Sequence, residues 1–271
     1  MFTILIQAVV AAVLTVSLGG TGACGWGWAT TWGILLFIAG QATSALLMQK
    51  RVKRAMGAVQ GILVSGQKRL QAKTAQWQFR PPGSIRQAQA EIEKDQKAFV
   101  EKALEASKEL ERFNNWVPLM KRQIATLRLQ LYWMVKDFKH VDELMPQALV
   151  VDPLMGAMKL ARMQMKGETE GMEKLFKKLT RRLRYGQGAL LYNLYAWILV
   201  QKKDYDGAFK VLNQAAERME DPVVKANRDA LANNRISAFS NAGLGDAWYA
   251  LHLETPKIKT QRPSKFSHRP F

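Results

Sequence analysis

The distribution of charged residues constrains this chain more than any other feature. All 62 Lys, Arg, Asp and Glu side chains lie at positions 50–269, so the first 49 residues carry no charge. A segment of that length without charges is typical of chain that lies in lipid rather than on a solvated surface. We therefore expect a membrane domain over residues 1–49, followed by a charged body outside the membrane.

Two apolar runs in this segment predict a transmembrane hairpin of two helices. Ten of the seventeen residues at positions 2–18 are Leu, Ile, Val or Phe, which favours membrane insertion by about 3–6 kcal/mol. A glycine-rich break separates this run from a second, weaker run at 29–48. Both approach the length that crosses a hydrocarbon core of about 30 Å. A cleaved signal peptide and a single long or re-entrant segment are the alternatives.

The basic residues directly after the second run predict its orientation. They are Lys50, Arg51, Lys53 and Arg54, whereas the loop between the two runs has no charge. The positive-inside rule places the chain from residue 50 onward in the cytoplasm, at an inner membrane if the cell is bacterial. We expect these four cations to face anionic lipid, each contributing about 1 kcal/mol to binding. The sequence thus predicts an integral membrane protein with a cytoplasmic body.

Residues 50–120 are predicted to form a stalk of two antiparallel helices. The first helix, at 50–80, has eight basic and no acidic residues, and Pro81 and Pro82 end it. Ser84, three residues before Gln87, is typical of a helix N-cap. In the second helix apolar residues recur every seven positions, as in a coiled coil. These residues are Ile85, Ile92, Phe99, Ala106 and Phe113.

Opposite charges on the two stalk helices suggest how they pair. The second helix carries seven acidic residues at positions 91–111. We expect Lys68, Arg69 and Lys73 of the first helix to contact these carboxylates. A first helix that lies flat on anionic lipid is the alternative.

The stretch at 121–254 shows a helix–turn–helix pattern with a period near 34 residues. Small or apolar residues recur at matching places, 31–36 residues apart, in three sets: Leu129, Ala161 and Ala196; Val141, Met172 and Ala208; Ala148, Leu179 and Ala215. This pattern, with the turn at 204–209 and the Ala-Leu-x-x-Asp-Pro sequence at 148–153, resembles the tetratricopeptide repeat. The resemblance implies an all-α fold, with an α-solenoid after the stalk. Leu129 and Pro146 depart from the family pattern, and an unrelated helical bundle is the alternative.

The end of such an array needs a cap, because each helix pair leaves an apolar face that only a neighbour can cover. Residues 223–253, with Trp248 and Leu251, are the predicted closing layer. The stretch at 255–271 alternates basic residues with prolines and is predicted to be a flexible tail.

Binding is a better-supported function than catalysis. The single cysteine and three dispersed histidines provide no metal cluster, and the sequence has no phosphate-binding glycine loop or nucleophile motif, so we expect neither cofactor nor enzyme activity. The tetratricopeptide resemblance implies a concave groove for an acidic or carboxyl-terminal peptide, since such arrays often hold carboxylates. By position, the residues that would line it are Arg128, Lys159, Arg162 and Asn193.

A second candidate surface is a basic helix face. Its five cations lie three or four residues apart: Lys174, Lys177, Lys178, Arg181 and Arg182. The sequence therefore predicts a membrane-anchored adaptor that docks a protein partner. The alternative is a membrane-associated nucleic-acid-binding protein that uses the net charge of +18. Small residues in the apolar runs also permit packing between copies of the chain.

Overall fold

The computed structural model describes residues 2–20, 26–77, 79, 83–117, 119–150 and 152–255. Over these residues the chain is helical, and none of them lies in a β-strand. The all-α class predicted from the sequence is therefore confirmed. The chain divides into two compact units, Met1–Leu149 and Val150–Phe271.

The N-terminal unit begins with two apolar helices that pack against each other, α1 (Phe2–Gly20) and α2 (Trp26–Trp77). Gly33 of α2 lies directly beside the Thr15 side chain of α1, which lets the two backbones approach closely. Among the described helices, one stretch, Thr30–Trp77, is long and apolar enough to cross a membrane. The apolar core of α1, Ala8–Ser17, is shorter. Gly19 and Gly20, where the predicted glycine-rich break begins, are the last residues of α1, and residues 21–25 lie outside the described residues.

The second apolar run and the basic stalk helix form one continuous helix. At 1.5 Å per residue, the 52 residues of α2 extend about 78 Å. Its polar half packs antiparallel against α3 (Ile85–Lys108), so that Gly66 lies beside Phe99 and Lys73 beside Glu91. The buried residues of this contact are Val59 of α2 and Phe99, Val100 and Ala103 of α3, and Leu131 from further along the chain packs against them.

The N-cap prediction for α3 is confirmed, and the charge-pairing prediction holds for one residue of three. The Ser84 hydroxyl accepts a hydrogen bond from the Gln87 N–H at 3.2 Å. Lys73 Nζ lies 2.7 Å from Asp95 and 3.0 Å from Glu91, and these two carboxylates raise its pKa. Lys68 and Arg69 are exposed and form no ion pair with any described residue, so the expectation for these two is wrong. Arg69 lines a concavity between α2 and α3 together with Asp95, yet it forms no ion pair across it.

The rest of the N-terminal unit returns along the stalk. A 3₁₀ turn (Glu109–Phe113) follows α3, and α4 (Met120–Met134) packs on both of them. Leu131 of α4 joins the core between α2 and α3. The chain then forms α5 (Phe138–Leu144), which Asp137 caps. Pro146, which departs from the family pattern, lies beyond the end of α5 and does not interrupt that helix.

The described part of the C-terminal unit consists of two helix pairs, a single helix and a short closing segment. The pairs are α6 (Pro153–Lys166) with α7 (Met172–Thr180) and α8 (Ala189–Gln201) with α9 (Tyr205–Ala216), and α10 (Pro222–Ala232) follows. The first helices pack in succession, α6 on α8 and α8 on α10. Gly167, at φ 73°, ends α6 in the left-handed conformation, and Asp152, Asp204 and Asp221 cap the following helices through their side chains.

The nine recurring positions that were predicted from the 34-residue period are all buried. The predicted closing layer is irregular: after α10 come two 3₁₀ turns, Ile236–Ala238 and Ala242–Leu244, and the four-residue helix α11 (Asp246–Tyr249). Trp248 and Leu251 are fully buried there. The Nε1–H groups of Trp197 and Trp248 both donate to the Glu254 carboxylate at 2.8 Å, which fastens this segment to α8. Residues 256–271 of the predicted tail lie outside the described residues.

Candidate binding surfaces

Helix α7 is fixed in the C-terminal unit by its apolar side. Met172, Phe176 and Leu179 are buried. The Phe176 ring stacks on Tyr195 with a centroid distance of 4.2 Å and meets Tyr192 edge-on at 5.4 Å. A helix of nine residues is too short to be stable alone, so this packing holds it in place. The opposite side of α7 therefore has a defined orientation toward solvent.

That opposite side carries the predicted basic face. Lys174, Lys177, Lys178, Arg181 and Arg182 are exposed and, together with Glu173, line one open concavity of about 780 Å³. Lys177 Nζ lies 2.6 Å from Glu173. The other four cations form no ion pair within 4.0 Å of any residue in the described part of the chain. We call these five cations with Glu173 the α7 basic face.

The residue behind this face is kept neutral. Burial raises the pKa of Tyr195, and the negative charges of Glu173 and Asp204 raise it further. Tyr195 therefore stays protonated where it supports Phe176. The apolar side of α7 thus packs on a neutral residue, opposite the cations of the α7 basic face.

The four residues predicted to line a peptide groove do not form one set. Asn193 is 0% exposed: its side-chain amide donates to the Ala189 carbonyl and its side-chain oxygen accepts from the Asn227 amide. The Asn241 amide donates to its backbone carbonyl, so the expectation that Asn193 lines a groove is wrong. Arg128, in the N-terminal unit, donates to Glu111 at 2.6 Å and to Ser107 at 2.9 Å. Lys159 and Arg162 are half-buried on α6. Polar type and helical position alone did not reveal that Asn193 faces inward.

The predicted lipid-facing residues Lys50, Arg51, Lys53 and Arg54 are all exposed on α2. Two of them, Arg51 and Arg54, line a concavity of about 430 Å³ whose opposite wall includes Arg112 from the 3₁₀ turn. Arg112 is a residue that sequence analysis missed. It lies about sixty positions further along the chain, and only the return of the chain alongside α2 brings it there.

Within the described residues, no group of three His, Cys, Asp or Glu side chains lies close enough together to hold a metal ion. Comparison with known proteins gives no further assignment. No protein-family model matches the chain, and neither a curated protein nor a solved structure is significantly similar to it.

Proposed function

We propose that this protein is a membrane-tethered helical scaffold that binds an acidic segment of a protein partner through the α7 basic face. The observation that carries the proposal is the arrangement of α7: five exposed cations on one side and a packed apolar side opposite. Four of the five cations have no acidic neighbour within 4.0 Å among the described residues. Unpaired cations can bind the carboxylates of an acidic ligand without first breaking an ion pair within the chain, and the arginine fork suits a carboxylate.

The tether in this proposal is the apolar N-terminal pair of helices. Helix α2 is long and apolar enough to span a membrane, and exposed basic residues follow its apolar half. We propose that α1 is the second span of a hairpin and that the body lies in the cytoplasm. The direct packing of α1 on α2 and the absence of charge from residues 1–49 support a common lipid environment.

The scaffold in this proposal is a degenerate tetratricopeptide-like array. Three observations support it: the succession of α6, α8 and α10, the burial of all nine recurring positions, and the aspartate caps at the turns. In such an array the helix pairs provide a rigid support, and side chains on their exposed faces select the ligand. In this proposal the α7 basic face, and not the predicted peptide groove, binds the acidic partner segment.

The extent of the positive charge favours a short acidic protein segment over nucleic acid. Residues 121–186 hold 14 basic and 7 acidic residues, whereas residues 187–255 hold 7 and 8. The α7 helix, nine residues long, extends about 13 Å. A nucleic-acid duplex carries one charge per about 1.7 Å along its whole length, so it would also meet the near-neutral sequence that follows. A peptide with a few clustered carboxylates matches the local charge better.

Binding of a poly-glutamate peptide to the full-length chain in mild detergent tests this proposal. We expect the triple variant Lys174→Gln, Lys178→Gln and Arg181→Gln to bind the peptide about tenfold more weakly, since each exposed contact contributes about 0.5 kcal/mol. The matched control is Lys202→Gln, Lys210→Gln and Lys225→Gln, which removes the same charge from exposed positions of the same unit. Its affinity should stay within about twofold of wild type.

Equal affinity of the wild type and the α7 triple variant would overturn the proposal. A DNA duplex of the same net charge is the second probe. Tighter binding of the duplex than of the peptide, lost in the α7 triple variant, would instead support the nucleic-acid alternative. Circular dichroism of both triple variants shows whether the helices are intact.

A further inference from the structure

The membrane-proximal end of the N-terminal unit has its own surface. Met48, the last residue of the apolar run, packs beside Ala55, Leu110, Phe113, Met120 and Ile124. Further along α2, Val59 packs beside Phe99 and the Leu131 end of α4. The helices α3 and α4 therefore run antiparallel, and the turn between them lies at the Met48 end of the stalk. This places residues 109–117 and 119–120 next to the point where the apolar half of α2 ends.

Three arginines meet at this end. Arg51 and Arg54 share one side of α2, and Arg112 reaches the same concavity from the 3₁₀ turn. The other residues that line it are Ala55 and Ala58 of α2 and Glu109 and Phe113 of the 3₁₀ turn. Arg112 lies 3.6 Å from Glu109 and over the Phe113 ring at 5.1 Å, which orients its guanidinium. Arg51 and Arg54 form no ion pair within the described chain.

Exposed apolar side chains lie at the same end. Trp116 is 40% exposed and Leu119 is 58% exposed. Leu119 adopts φ 64°, a left-handed conformation that is costly for a bulky residue. Val117, between them, packs against the same cluster as Met48. An exposed tryptophan beside the end of an apolar segment is typical of the interface between lipid and water, and the exposed Leu119 adds apolar surface there.

We propose that Arg51, Arg54 and Arg112 form a binding site for the phosphate of an anionic phospholipid, with Trp116 and Leu119 placed in the interface beside it. The inference rests on the proposed membrane tether. At 1.5 Å per residue, Arg51 lies about 5 Å and Arg54 about 9 Å beyond Met48 along the helix axis. The headgroup layer is about 5–7 Å thick on each side, so the Arg51 backbone lies within it and the long side chain of Arg54 can reach back to it. Three arginines can hold phosphate oxygens through several charge-assisted hydrogen bonds.

In the experiment the full-length chain is reconstituted into vesicles that contain equal amounts of phosphatidylcholine and phosphatidylglycerol. The protein is then extracted in mild detergent, and the lipid that it retains is measured. The wild-type protein should retain more phosphatidylglycerol than phosphatidylcholine. Arg112→Gln should lower that excess about fivefold, the loss expected for one basic residue at an anionic surface. Arg122→Gln is the matched control, because Arg122 is an exposed arginine at the same end of the stalk and does not line the concavity. It should leave the excess unchanged.

A second variant changes the retention in the opposite direction. Glu109→Gln removes the carboxylate that competes with phosphate for Arg112. We expect it to raise phosphatidylglycerol retention, an outcome that misfolding would not produce. Inorganic phosphate added to the detergent extract shows whether the arginines bind the phosphate of a lipid headgroup or free phosphate. Displacement of the lipid by low concentrations of free phosphate would show a site for free phosphate and overturn the lipid assignment.

The outcomes separate this inference from the proposed tether. If Arg122→Gln and Arg112→Gln reduce retention equally, the attraction is diffuse and the site is overturned, while the tether stands. If all variants retain the lipid as wild type does, the site is likewise overturned. If wild type does not float with the vesicles at all, the tether itself fails, and the lipid site fails with it.

Discussion

At the residue scale, three buried asparagines hold the C-terminal unit together where α8 meets α10. The Asn227 amide donates to the side-chain oxygens of Asn193 at 3.0 Å and Asn241 at 2.8 Å, and its own oxygen accepts the Ser240 N–H at 2.9 Å. All three asparagines are at most 1% exposed. Buried polar groups are costly unless they are bonded, so this cluster is stabilising only while it is complete.

Asn227→Ala should therefore destabilise the C-terminal unit by about 2–4 kcal/mol, since it leaves two carbonyl oxygens and one N–H buried without partners. Urea unfolding of the full-length chain, followed by circular dichroism, measures the change. Asn213→Ala, an exposed asparagine of α9, is the control and should change stability by less than about 0.5 kcal/mol. A similar small loss in Asn227→Ala would mean that the cluster is not formed.

A second residue-scale prediction concerns Asp137, the N-cap of α5. Burial opposes ionisation of Asp137, but hydrogen bonds from the side chain and the backbone N–H of His140, and the charge of His140, outweigh it and lower the pKa below its ordinary value of 3.8. The unfolded chain then binds the proton more tightly than the folded chain. The stabilisation by this carboxylate is complete above pH 3.8 and is lost as the pH falls through the lower folded-state pKa.

We expect Asp137→Asn to make the acid unfolding of the N-terminal unit less dependent on pH in this range, because the amide cannot titrate. Circular dichroism across an acid titration measures the dependence. Glu143→Gln, which removes an exposed carboxylate of the same helix, should leave the slope as in wild type. If stability depends on pH as steeply in Asp137→Asn as in wild type, the prediction is wrong.

Sequence periodicity predicted which residues share a face but not which polar residues lie inside. The α7 basic face could be predicted because its five cations are close in sequence and follow the helical period. Asn193 was expected on a surface because it is polar. Its partners Asn227 and Asn241 lie outside its own helix, so the sequence of that helix does not show that Asn193 is buried. Arg112 could not be found for a similar reason, since its neighbours Arg51 and Arg54 are distant in sequence.

At the element scale, the contact between α2 and α3 depends on a glycine. A Cβ at Gly66 would lie 2.5 Å from the Phe99 ring, closer than packed atoms can approach. The missing side chain thus lets Phe99 fill the space between the helices. Elsewhere on α2, a Cβ at Gly57 would meet no atom within 4 Å.

This difference predicts opposite effects for the same substitution. Gly66→Ala should destabilise the stalk by about 1–2 kcal/mol, because displacing the Phe99 ring costs more than the gain in helix propensity. Gly57→Ala should stabilise it by up to about 1 kcal/mol through propensity alone. Thermal unfolding of both variants in the same detergent compares them. Stabilisation by Gly66→Ala would show that Phe99 does not pack there.

The stalk shows how far element-level prediction extends. The seven-residue spacing predicted the buried positions Phe99 and Phe113, and the Ser84 cap marked the start of α3 correctly. The prediction separated membrane segment from stalk helix, whereas α2 continues through both, since no residue between Met48 and Val52 breaks a helix. Opposite charge alone did not predict pairing, because the long side chains of Lys68 and Arg69 gain little from an exposed ion pair.

At the scale of the whole molecule, the proposed membrane tether leads to a prediction about the number of membrane crossings. Only α2 meets the length and apolarity expected of a span among the described helices. The proposed hairpin requires α1 to cross as well. The two arrangements place the N-terminal end on opposite sides of the membrane, while both keep the basic residues after Met48 inside.

Cysteine accessibility distinguishes these arrangements, because Cys24 is the single cysteine of the chain and falls between the two apolar runs. In sealed right-side-out vesicles, a membrane-impermeant maleimide should label Cys24 in either arrangement. In a Cys24→Ser background, Thr3→Cys should be protected until the membrane is opened if α1 crosses, and labelled at once if it does not. Lys102→Cys, on the exposed side of α3, is the control for the interior side. Immediate labelling of Thr3→Cys with protected Lys102→Cys would leave α2 as a lone span and turn α1 into a helix that packs on it without crossing.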